Sequence, residues 1–114
     1  MSTDIRHGRK REKRGAIKSF DELPERAQES FKIVAKEMIK LDDTIDKVYV
    51  FGSHFWGFWD DLSDYDVLIT SKNFPMNKEE FKSLMKEKYD FDVDIMSGVP
   101  HKQLKSFVSI PLIK

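Results

Sequence analysis

Apolar residues change their spacing along this chain, and each change marks a different element. Ala27, Phe31, Val34, Ala35, Met38 and Leu41 recur at three- and four-residue intervals, the spacing that lines one face of an α-helix. Ser19 and Glu22 stand upstream at capping-box spacing, and Pro24 suits a first helical turn. A helix is therefore predicted over about 24–41. Lys47 to Phe51 is a short β-rich run ending at Gly52, and its four successive apolar residues predict a strand covered on both faces. A loop or short helix rich in aromatics follows, and then Tyr65 to Thr70 predicts a second strand. Asn77 with Glu80 marks a helix start, and Phe81, Leu84, Met85 and Lys88 give that helix of about 12 residues one face. Phe91 to Met96 predicts a third strand, broken by Ser97 to Pro100. A last short helix is expected within 101–109.

Helices therefore separate three short strands. This order predicts an α/β (α+β) layer structure, a small mixed sheet of three or more strands flanked by helices. A chain of 114 residues with 39% apolar residues can bury one core, and no internal repeat is visible.

Charge divides the chain. Lys and Arg number 20, matched by 20 Asp and Glu, which excludes a globally basic nucleic-acid binder. Yet residues 1–18 hold seven cations (Arg6, Arg9, Lys10, Arg11, Lys13, Arg14 and Lys18) against Asp4 and Glu12, leaving the remainder at −5. We read 1–18 as a flexible basic arm and 19–114 as one domain. The arm could contact the phosphates of RNA or DNA, or serve as a solubilising tail. The absence of cysteine excludes disulfides and thiolate metal sites. No apolar run is long enough to span a membrane, and no apolar segment follows the basic start as in a secretory signal, so a cytoplasmic protein is expected.

The chemistry concentrates in one block. Gly52 and Ser53 end the first strand, where glycine lets backbone approach a ligand and N–H groups opening a helix attract phosphate. After ten intervening residues come Asp64 and Asp66, which share one strand face and repel unless a cation lies between them. Such hard oxygen donors suit Mg²⁺ bound together with substrate phosphates. Asp92 and Asp94 share one face of the third strand, and either could complete a three-carboxylate, two-metal site.

The block VYVFGSHFWGFWDDLSDYDVLI resembles the signature of the polymerase-beta-like nucleotidyltransferase superfamily in its minimal form, over roughly residues 45–96. The resemblance implies a metal-dependent transfer of a nucleoside monophosphate from an NTP, ATP foremost, onto a macromolecular acceptor. It implies that Gly52 and Ser53 contact the nucleotide, and that Asp64, Asp66 and Asp94 bind Mg²⁺ and carry catalysis, with Asp92 in reserve. It further implies an antitoxin role, in which a HEPN-type ribonuclease toxin is the partner and receives AMP. Members often place Arg before the second glycine of the motif, whereas here Phe55 and Trp56 precede Gly57.

A second reading is a catalytically inactive binding module of the same fold, acting through its aromatic loop or its basic arm. Phe55, Trp56, Phe58 and Trp59 could stack on a base, but packing in the core or against a partner subunit, including a second copy of the chain, is the stronger expectation. His54 could touch phosphate; a solvent-facing or capping role is at least as natural.

Overall fold

The computed structural model describes residues 15–60, 62–70 and 77–112. Helix α1 spans Glu25–Leu41, β1 Tyr49–Phe51, α2 Gly52–Trp56, β2 Tyr65–Leu68, α3 Lys78–Tyr89 and β3 Val93–Met96. From α1 to β3 the predicted order of elements is the observed one, and the fold class is the small mixed α/β sheet expected. Ser19 and Glu22 do pair, Ser19 N–H donating to the Glu22 carboxylate at 2.9 Å. Their pairing closes a separate 3₁₀ turn over Phe20–Glu22, however, and α1 opens after Pro24. At α3 the Asn77 side chain accepts from the N–H groups of Glu79 and Glu80, the cap its residue type favours.

The sheet runs in the order β1-β2-β3, with β1 antiparallel to β2 and β2 parallel to β3. Alternation along each strand gives its two faces opposite characters. Val50, Val67, Val93 and Ile95 point into the core, where Phe31, Val34 and Met38 of α1 and Phe81 and Met85 of α3 meet them. Each of these five helical side chains is fully buried, a transfer gain of about 1.5–3 kcal/mol apiece. Glu37 ties the two helices together: it accepts from Lys88 Nζ at 2.9 Å and from the Tyr89 hydroxyl at 2.5 Å.

The opposite face is less covered. Tyr49 and Phe51 are half-buried while Val48 and Val50 are fully buried, so β1 is sealed on one face rather than on both. The last segment also departs from expectation. A 3₁₀ turn over His101–Leu104 gives way to an extended stretch that the sequence reading assigned to a helix. Val50 N–H donates to Val108 carbonyl oxygen at 2.9 Å and Ile110 N–H to Val48 carbonyl oxygen at 2.8 Å, so 108–110 flanks β1. Pairing with an open sheet edge outweighed local propensity there.

Most of the predicted arm lies outside the described residues. Its last four residues, 15–18, pack on the domain: Ile17 is buried and its N–H donates to Phe55 carbonyl oxygen at 3.0 Å.

Candidate active site

Residues 51–57 place the Gly-Ser motif at a sharp change from strand to helix. Gly52 takes φ +64°, in the left-handed region that glycine tolerates. It also leaves room for a neighbour, since a Cβ built there would fall 1.9 Å from Asp66 Oδ2. Ser53 follows, half-buried, in the first turn of α2, and its carbonyl oxygen accepts from Gly57 and Phe58 N–H to close the helix. Gly57 ends it at φ +86°, against the backbone of Gly15.

Register decides which carboxylates meet. Phe51 pairs with Asp66 across β1 and β2, and Asp66 pairs with Asp94 across β2 and β3. Asp66 and Asp94 therefore stand side by side on the open face of the sheet, with Gly52 beneath Asp66. The turn before β2 presents Asp64: Leu62 N–H donates to Asp60 Oδ1 at 2.9 Å and Asp60 N–H to Ser63 Oγ at 2.9 Å. The Asp66 carboxyl is pushed up to about 6 by burial first, and then by the charges of Asp64 and Asp94.

Asp92 is placed differently. It precedes β3, lies 3.4 Å from Lys86 Nζ and borders a cavity of about 350 Å³ with Arg26, Ser63, Tyr65 and Phe91. Of the two alternatives left by strand alternation, Asp94 is the one in register with Asp66.

Sequence reasoning missed Lys82, whose Nζ lies 3.9 Å from Asp94 Oδ1 and whose charge works to lower the Asp66 carboxyl. Lys82 follows the buried Phe81, at the margin of the apolar stripe of α3; only the position of β3 makes that margin the rim of the site. Among the described residues, no three His, Asp or Glu side chains converge closely enough to hold a metal ion as placed. The donor set nevertheless suits one chemically: hard carboxylate oxygens of Asp66 and Asp94 side by side, with Asp66 partly buried and under the charges of Asp64 and Asp94.

His54 does not line this face. It is buried, edge-on to Phe31 at 5.1 Å and stacked with Tyr65 and Trp59. Its expected solvent-facing or phosphate-contacting role is replaced by packing, because the residue after Ser53 turns toward α1. The aromatic cluster divides likewise: Phe55 is core, Trp59 is half-buried, and Trp56 and Phe58 remain exposed.

The fold and this arrangement of Gly-Ser motif and strand-borne carboxylates define a nucleotidyltransferase domain. Residues 34–108 match the family described as polymerase beta, nucleotidyltransferase, and the chain belongs to it. The chain is also 40% identical over 57 residues to the Methanocaldococcus jannaschii protein named "Putative protein adenylyltransferase MJ0141". The matched stretch covers 49% of this chain and 58% of that relative, so the chain spans somewhat over half of the relative's length. No solved structure matches the chain. Among the described residues, no helix is long and apolar enough to cross a membrane.

Proposed function

We propose that this domain transfers a nucleoside monophosphate from an NTP, ATP foremost, onto a protein acceptor, with Mg²⁺ held by Asp64, Asp66 and Asp94. The observation that supports this best is the pairing of Asp66 with Asp94 on the open face, above a glycine whose missing side chain makes room for Asp66. Mg²⁺, when bound, supplies neutralisation of phosphate charge and steadies the attacking and leaving oxygens. The chain's own residues do the rest: the Ser53 hydroxyl donates to a phosphate oxygen, and the carboxylates fix the nucleotide on one face of a rigid sheet. Positioning of this kind supplies most of the rate in such transfers.

The protein acceptor follows the name of the Methanocaldococcus jannaschii relative. An open sheet face also suits an acceptor that brings its own surface. A HEPN-type toxin, modified and silenced in the cytoplasm, is the acceptor we infer from the resemblance.

A second reading, a nucleotide-binding module without transfer, is favoured by one observation: Lys82 already pairs with Asp94 where a metal would be expected. Incubating the chain with α-labelled NTPs, Mg²⁺ or Mn²⁺ and host lysate, beside Asp66→Asn, separates the two. Label on a discrete protein, lost in the variant, supports transfer. Nucleotide binding without any labelled product supports the module. Failure to bind any NTP at millimolar concentration with metal present overturns both.

A further inference from the structure

We propose that Lys82 is a substrate-binding residue of this site, its ammonium donating to the nucleotide phosphate that lies over Asp66 and Asp94. This rests on the nucleotide-binding reading above and deepens it. Between residues 48 and 71 the chain has no Lys or Arg, while it has Asp60, Asp61, Asp64 and Asp66. The one histidine of that block, His54, is buried among aromatic rings. A polyphosphate bound here therefore needs a charge-assisted donor from another element.

Helix α3 supplies that donor. Lys78, Lys82 and Lys86 recur every fourth residue and so share one side of the helix. The buried Phe81 and Met85 fix α3 against the core, and β3 runs past the lysines in step: Lys86 lies 3.4 Å from Asp92 and Lys82 3.9 Å from Asp94. The two lysines are held differently. Lys86 Nζ also stands 3.0 Å from Asp90, and Lys88 Nζ stands 2.9 Å from Glu37, both within hydrogen-bonding distance. Lys82 Nζ stands 3.9 Å from Asp94 and 3.6 Å from Glu79, beyond that distance from each. Charge alone keeps it at the carboxylates, and its N–H donors are spent on no hydrogen bond among the described residues. Its charge also acts on Asp66, so it serves the pair and not Asp94 alone.

Position completes the case. Ser53 follows β1 on one side of Asp66, and Lys82 meets Asp94 of β3 on the other. Two strand spacings, about 10 Å, separate these sides, so a phosphate chain laid over the pair meets a hydroxyl at one end and an ammonium at the other. With a metal ion on the carboxylates, the phosphate oxygens become the acceptors nearest to Lys82.

Calorimetric titration with Mg²⁺ alone, and with ATP in the presence of Mg²⁺, tests this on the full chain beside Lys82→Met, Lys82→Arg and Lys86→Met. Methionine keeps the unbranched stem and the helix propensity of lysine, so thermal melting should stay near wild type; Lys82→Gln repeats the comparison should the methionine variant melt early. Lys82→Met should bind ATP about tenfold more weakly, or worse, as loss of one charged hydrogen bond gives. It should bind Mg²⁺ alone at least as tightly as wild type, because a cation competing for Asp94 is gone. Lys82→Arg should recover most of the ATP affinity, and Lys86→Met should leave it near wild type. ATP affinity in Lys82→Met equal to or above wild type makes Lys82 a mere counter-ion of Asp94, which overturns the proposal and leaves nucleotide binding intact. A loss shared by Mg²⁺ alone overturns it too, by placing the effect in the carboxylates, as does an equal loss in Lys86→Met, which reduces it to overall charge. If wild type binds no ATP at millimolar concentration, the reading of the site itself fails and the role of Lys82 with it.

Discussion

The Asp66 carboxylate occupies the space that a side chain at position 52 would need, its Oδ2 lying 1.9 Å from a Cβ built on Gly52. The two motif positions are thus one steric unit. Gly52→Ala meets this clash and also the strain of a non-glycine residue at φ +64°. We expect it to destabilise the domain by about 1–3 kcal/mol in urea unfolding. Removing the Asp66 side chain by Asp66→Gly should recover part of that cost. A double-mutant cycle with no coupling between the two positions would show that they do not share this space.

Carboxylate crowding predicts a pH dependence. The Asp66 carboxyl titrates at about 6 in the folded chain, against 3.8 as its ordinary value. Between these values the folded state holds more protons than the unfolded state, so stability falls as pH rises from about 4 to 6. Asp66→Asn should flatten this part of the profile in thermal melts. Mg²⁺ binding should weaken as pH falls below about 6, because protons compete for the same oxygen atoms, and calorimetric titration at pH 5 and 7.5 would measure it.

Register separates the two candidates for the third carboxylate. Asp94→Asn should reduce nucleotide transfer by about 100-fold or more, since losing even a group that only orients a metal's ligands costs about 10–100-fold. Asp92→Asn, which loosens only the exposed contact with Lys86, should stay within about threefold of wild type. Comparable losses in both variants would show that Asp92 also reaches the reacting groups.

Glu37 joins α1 to α3 away from the site. Burial works to raise its carboxyl, but hydrogen bonds from Tyr89 and Lys88 and the charges of Lys40 and Lys88 outweigh burial and hold it below its usual 4.5. Its contribution is therefore complete above about 4.5 and lost as pH falls below that value, the reverse of Asp66. Tyr89→Phe should cost about 1–2 kcal/mol at pH 7, and the gap from wild type should narrow in melts at pH 3. A gap independent of pH would place the effect in packing alone.

Much of this was legible in the sequence because it depends on short-range pattern. Helical spacing set α1 and α3, the β-rich runs set the strands that carry Asp66 and Asp94, and Gly52 with Ser53 marked the strand end, while Asp64 and Asp92, expected on those strands, fall just before them. The family resemblance rests on that same local block, and the polymerase beta nucleotidyltransferase match covers it. What the sequence could not specify was which distant residues become neighbours. Alternation treats Asp92 and Asp94 alike; only parallel pairing of β2 with β3 sets Asp94 beside Asp66 and leaves Asp92 to Lys86. Lys82 reaches the site, and Ile17 joins the core, through contacts between elements far apart in sequence. His54, next to the motif serine, looked available to a ligand, yet packing against Phe31 and Tyr65 turned it inward. The pattern of residue types determined the elements and the chemistry they could offer. Packing of those elements against one core decided which of the offered groups meet, because register and burial are properties of pairs of segments and not of either segment alone.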